Sequence, residues 1–213
     1  MRYLLTKFTF KDVSGIWIFL ILSGIGIISG AFSVFGAETA DVVDYRTFFG
    51  FDPRTTVWII AELHLMFGAF VLGVPMFAVT VEYVGVLTKE ERYDRLAKDF
   101  TRLLSASFAL TAALGGLLTF ALFTLYPKVM TFMSGIFHES FYIYAFFFFG
   151  ETFVLYFYYY SWDRLKNRKG IHISAGVLLN IIGLIIMGIS NSWATYMMSP
   201  SGIDPETMKF TGT

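Results

Sequence analysis

Apolar residues fall into five long blocks along this chain, parted by segments that hold most of its charge: Gly15–Gly36, Val57–Leu87, Leu103–Tyr126, Ile136–Trp162 and Ile173–Met198. A bilayer core of about 30 Å needs about 20 apolar residues in a helix to cross it. Each block meets that length. None alternates with period two, the mark of a membrane β-strand, so the pattern predicts an all-α integral membrane protein with five transmembrane helices. The second and fourth blocks exceed the minimum and are expected to tilt or to project from the bilayer. The first follows a basic segment, as a cleaved leader does, but its apolar run of about 20 residues outruns the 7–15 of a leader, so it is read as a retained helix. Gly15, Gly24, Gly26 and Gly30, with Ser23 and Ser29, would let another helix approach it closely. That helix belongs either to the same chain or to a partner subunit.

Composition agrees with the pattern. Of 213 residues, 56% are hydrophobic and 15% charged, where soluble domains carry about 25% charge. The 25 Phe, 12 Tyr and 4 Trp exclude a disordered chain, and no period of 20–50 residues marks a repeat protein. Sixteen Lys and Arg balance sixteen Asp and Glu, so there is no net basic surface to attract nucleic acid. Cysteine is absent, which removes disulfides, thiolate zinc sites, iron–sulfur clusters and covalently attached c-type haem. Metal chemistry is left to His64, His138, His172, methionine or carboxylates.

The cations sort the loops. Twelve of the sixteen Lys and Arg lie before the first span, in the loop after the second (Lys89 to Arg102) or in the loop after the fourth (Arg164 to Lys169). Only Arg46, Arg54, Lys128 and Lys209 fall on the other side. The positive-inside rule then predicts a cytoplasmic amino terminus and a carboxyl tail outside; the resemblance described below implies the inner membrane of a prokaryote.

Within or at the rim of the spans stand four acids: Glu62, Glu82, Glu139 and Glu151. A charged group near mid-membrane costs on the order of 2.5 kcal/mol or more, and normally faces a bundle interior, a water-filled path or a cofactor. His64 sits about 12 Å into the second span at 1.5 Å per residue, among Ile60, Ala61, Phe67, Gly68 and Val71. That is a seat for a haem iron, or for a histidine hydrogen-bonded to a neighbouring helix; the pattern leaves both open. Glu82 follows eighteen residues on, five whole turns and about 27 Å further inward on the same face. His138 and Glu139 open the fourth span at the outer side, where such residues are often only solvated. Glu151 lies deep in that span among Phe146–Phe149, Phe153 and Tyr156, a setting that suits a proton-relay group or a carboxyl hydrogen-bonded to a tyrosine. His172 starts the fifth span at the basic side, where an ordinary helix-end role is equally open. Asn180 and Asn191 are further polar points there, fit for interhelical hydrogen bonds or a proton path. The aromatic block from Phe141 to Tyr160 is read as core and lipid-facing bulk.

From the second span onward the sequence resembles the amino-terminal four-helix part of subunit I of cytochrome bd quinol oxidase. The resemblance rests on an ordered series: His64 with Glu82 eighteen residues later; Arg102–Leu103–Leu104 leading into Ser107–Phe108–Ala109; Gly135–Ile136–Phe137; Glu151–Thr152–Phe153–Val154 continuing to Trp162–Asp163–Arg164–Leu165; a His opening the next helix; Asn191–Ser192–Trp193; Ser199–Pro200; and Pro205–Glu206–Thr207–Met208. It covers about residues 56–210. It implies two parts, an amino-terminal helix with its outer loop (1–55) and a bd-like four-helix haem-binding bundle with an outer tail (56–213).

By that resemblance His64 matches the family's amino-terminal haem ligand, Glu151 a buried glutamate of the proton pathway beside the haems, and Glu82 a recurrent acid at the inner end of its helix. His172 falls near a family histidine, with a spacing from Trp162 that differs by about two residues. A second family glutamate lands near Ile143–Tyr144, with His138 or Glu139 about one turn away. The family's later helices, with the ligands of its low-spin haem and its quinol-binding loop, lie beyond the part that matches.

The implied function is a haem-binding electron-transfer subunit of a bd-like membrane redox complex. Non-covalent b- or d-type haem would sit on His64, with His138 as the possible second axial ligand and Glu151 and Glu82 handling protons. Partners would be other membrane subunits, with electrons from an extracytoplasmic cytochrome or from quinol through a partner. The different-class alternative is a cofactor-free structural subunit of a respiratory complex. A proton channel lined by Glu62, Glu82 and Glu151 ranks below both.

Overall fold

A computed structural model describes Thr47, residues 50–199, Ser201, Gly202 and Asp204. The expected first span, Gly15–Gly36, lies outside the described residues. Among the described residues four helices follow one another: α1 (Pro53–Thr88), α2 (Glu91–Leu125), α3 (Pro127–Tyr160) and α4 (Lys169–Met198). All four are long and apolar enough to cross a membrane, so the chain is an all-α integral membrane protein. At 30–36 residues each they run about 45–54 Å, well beyond the hydrocarbon layer.

Local chemistry sets the helix ends. Asp52 caps α1, its carboxylate accepting the Thr55 amide at 3.0 Å and the Thr55 hydroxyl at 2.6 Å, and Pro53 takes the first helical position, where its missing N–H costs nothing. Pro75 falls inside α1; a proline there removes one ladder bond, a defect that spanning helices accommodate. Lys89, at φ 57°, turns the chain out of α1 in the left-handed conformation common after a helix C-terminus. Glu91 and Asp94 occupy the first turn of α2, where the helix dipole favours acids. α3 is interrupted once, at Phe137 (φ −104°, ψ 18°).

Two boundaries differ from the hydropathy reading. α2 starts twelve residues before Leu103 and α3 nine before Ile136. Apolar runs mark where a helix meets lipid, whereas the charged segment from Glu91 to Arg102 is a good helix former that continues the same helix into water.

The chain divides into two compact units. In the first, which takes in residues up to Gly68 and Ala106–Thr131, Ile60, Ala121 and Leu125 form a buried cluster with Val57, Leu118 and Tyr126 packed against it. In the second, Ala69–Ser105 and Phe132 onward, the fully buried side chains include Tyr158, Leu104, Leu155, His172, Glu82 and Thr101. Large apolar side chains also stand exposed, among them Phe146 at 73% and Phe153 at 68%. In a membrane protein such faces meet lipid tails or partner helices.

Candidate functional site

In the first unit, α1 brings His64 half-buried against α2. Its Nδ1 lies 3.1 Å from the Thr111 carbonyl oxygen. A carbonyl only accepts, so Nδ1 carries the hydrogen, and in the neutral ring Nε2 is left with the bare lone pair. One turn along α2 stands Gly115: a Cβ there would come 2.9 Å from Cε1 of the His64 ring and 3.4 Å from Nδ1. α2 thus offers the imidazole one oriented acceptor and one gap in its side-chain surface. An imidazole held at Nδ1 by a carbonyl, with Nε2 free, is the arrangement of metal-ligating histidines. Glu62, two residues before His64, is exposed; residues two apart on a helix do not share a face.

The second unit holds a polar cluster, two of whose members the sequence singles out separately. Glu82 of α1 and His172 of α4 are both fully buried side chains, with His172 Nδ1 2.7 Å from Glu82 Oε1. His172 Nε2 lies 2.8 Å from the Tyr158 carbonyl oxygen. The Tyr158 hydroxyl donates to Glu82 Oε2 at 2.8 Å, and Lys169 donates to Glu82 Oε1 at 2.9 Å. Lys169 also pairs with Asp94 of α2, which accepts a bond from the Trp162 indole at 3.3 Å. The imidazole lies between two rings, stacked on Tyr158 at 4.4 Å between centroids and edge-on to Trp162 at 4.5 Å. Gly176 permits this packing, since a Cβ there would meet Val79 and would sit 2.9 Å from the Tyr158 ring.

With both ring nitrogens engaged, His172 offers none to a metal. Of the cluster, sequence reasoning singled out Glu82 and His172 but passed over Tyr158, Lys169, Asp94 and Trp162. One signal pointed to them: an acid buried in a span requires a cationic partner, and Lys169 opens the helix that carries His172.

Glu151 is buried on α3 at 6% exposure. Gly183 of α4 makes its room, since a Cβ there would come 3.2 Å from Glu151 Oε1 and 3.3 Å from Leu72. Among the described residues no hydrogen bond to the Glu151 carboxyl is found. Three residues before Gly183, Asn180 donates to the Gly176 carbonyl at 2.8 Å, while its buried Oδ1 meets no donor among them. Asn191 is exposed.

His138 and Glu139 are exposed beside the Phe137 break, on an open hollow of about 460 Å³ also lined by Gly135, Ile136, Ser140 and Ile143. The His138 ring meets Tyr142 edge-on at 5.0 Å. Ser140 ties the break down, donating to the Phe137 carbonyl at 2.9 Å and accepting the Trp193 indole N–H at 2.8 Å. Of the residues singled out from sequence, the second unit therefore joins Glu82 to His172, and sets His138 beside Glu139. His64 stands in the first unit with Thr111 and Gly115. Among the described residues no group of three or more His, Asp and Glu is arranged to hold a metal ion.

Residues 53–211 match the family model of cytochrome bd terminal oxidase subunit I, a stretch that begins with α1 and runs past α4. No curated protein and no solved structure matches the chain.

Proposed function

The chain belongs to the cytochrome bd terminal oxidase subunit I family, and from that premise we propose that it is a haem-binding, electron-transferring subunit of a bd-type membrane complex. The observation that carries the reading is the His64 site: Nδ1 donating to the Thr111 carbonyl, Nε2 without a partner among the described residues, and Gly115 making room for the ring. One imidazole is enough here, because a haem brings its own equatorial donors. His64 would hold the iron, and His138 is a separate candidate ligand. A b- or d-type haem held there would supply one-electron or oxygen chemistry.

The chain's own residues do the rest. Thr111 fixes the tautomer and orientation of His64. Glu151, buried in an apolar span beside Gly183, takes up and passes on protons, as does Glu82 at the inner end of α1. The bias of Lys and Arg supports an inner-membrane protein with its amino terminus in the cytoplasm. Other membrane subunits complete the complex, and electrons arrive from one of them or from an extracytoplasmic cytochrome.

An optical spectrum of the purified protein tests the reading. Haem bands are expected, and carbon monoxide shifts them if one axial position is open. Bands that ignore carbon monoxide mean that the iron has no open coordination site, and point to electron transfer alone. A preparation with no Soret band overturns the proposal in favour of a structural subunit.

A further inference from the structure

His172 has an acceptor at each nitrogen. The Tyr158 carbonyl oxygen, 2.8 Å from Nε2, accepts only, so Nε2 carries a hydrogen. Glu82 Oε1, 2.7 Å from Nδ1, already receives Lys169, while Oε2 receives the Tyr158 hydroxyl. A carboxyl group taking bonds on both oxygens is best served as the carboxylate, and Nδ1 then donates as well. A ring that donates from both nitrogens is an imidazolium.

Charge leads to the same place independently. Across the elements packed here, α1 contributes Glu82, α2 Asp94 and α4 Lys169, while α3 and the turn after it contribute the neutral Tyr158 and Trp162. Two acids and one ammonium leave an excess negative charge in a buried place; a second cation at His172 cancels it. The aromatic faces of Tyr158 and Trp162 against the ring are also surroundings that favour a cation.

We propose that Glu82 and His172 form a proton-holding site, in which a buried His172 imidazolium lies between the Glu82 carboxylate and the Tyr158 carbonyl and is reached from the inner aqueous face through Lys169 and Asp94. The side chains of Lys169 and Asp94 are 18% and 28% exposed, those of Glu82 and His172 not at all. Release is a single transfer: the Nδ1–H bond breaks, an O–H bond forms on Glu82 Oε1, and an ion pair becomes a neutral pair with no change in total charge. That the proton feeds a pathway rests on the proposed role of Glu82; that His172 holds it does not.

The chain has three histidines, so ¹⁵N-histidine labelling of the full protein in lipid resolves the matter. His64→Gln and His138→Gln each remove one set of signals and leave the third assigned to His172. At neutral pH both His172 nitrogens are expected in the protonated range. A His172 nitrogen at the bare lone-pair position overturns the proposal, and so does an unaltered protein with no histidine protonated at both nitrogens, whether or not the variants fold. In Glu82→Gln the Nδ1 signal is expected to move to the lone-pair range while Nε2 stays protonated; an unchanged imidazolium there overturns the pairing. Lys169→Met is expected to slow exchange of the His172 ring hydrogens with deuterated solvent, and an unchanged rate overturns the route. Haem content measured on the same samples keeps the two proposals apart, since a haem-free protein with an imidazolium at His172 sinks only the first.

Discussion

Glu82 and His172, 90 positions apart in the chain, meet with 2.7 Å between carboxylate oxygen and ring nitrogen. Both are inaccessible to solvent, and Lys169 is the ammonium that joins their pair to Asp94. Taking one partner from a buried ion pair leaves uncompensated charge and typically costs about 3–5 kcal/mol. Lys169→Met is therefore expected to lower thermal stability in detergent by about 3 kcal/mol, near the low end because Lys169 is itself partly exposed. Lys166→Met, which removes a charge from an exposed residue of the preceding turn, is the comparison and should leave the transition almost unmoved.

His64→Ala should remove at least one haem while helix content by circular dichroism stays the same. A pyridine haemochrome assay counts the haem. Unchanged haem per protein would show that His64 is not the ligand.

Gly115→Ala tests the same site without touching the ligand. Its methyl would stand 2.9 Å from the His64 ring, closer than carbon atoms tolerate, so the imidazole must shift or the helices part, at about 1–3 kcal/mol for an overpacked contact. Haem content is expected to fall. Gly188→Ala, where nothing lies within 4 Å of the added carbon, should keep the full complement.

Glu151→Gln keeps the shape of a buried side chain and removes its ability to ionise. Oxygen consumption by the complex is expected to slow at unchanged haem content. Equal rates in the two proteins would take Glu151 off the proton pathway.

Asp163, in the turn after α3, and Lys98 of α2 lie 2.7 Å apart, with Asp163 84% exposed at its side chain. The hydrogen bond from Lys98 holds the Asp163 carboxyl below its ordinary value of 3.8. A depressed carboxylate contributes stability that is full above that ordinary value and is lost as pH falls through the lower folded one. Asp163→Asn is expected to cost less than about 1 kcal/mol at neutral pH, as exposed pairs do. The difference from the parent should vanish in strong acid or high salt, which thermal melts across pH and salt would check.

The membrane class, the all-α architecture, the four spans now described and the family were legible in the chain itself, because the apolar length a bilayer demands is a local property that any window of sequence reveals. So was the short roster of residues worth watching: a charge is so costly inside lipid that Glu82, Glu151 and His64 stand out wherever they are folded. What the roster did not contain was partnership. Lys169 and Asp94 look like ordinary loop cations and acids when counted along the chain, Tyr158 like one more ring in an aromatic block, and Gly115 like one small residue in a span of them. Their roles come from contacts across 47 to 90 positions, and no periodicity encodes those. Only the packing of the helices decided which acid meets which base, since a hydrogen bond depends on tenths of an ångström between atoms that the sequence holds far apart.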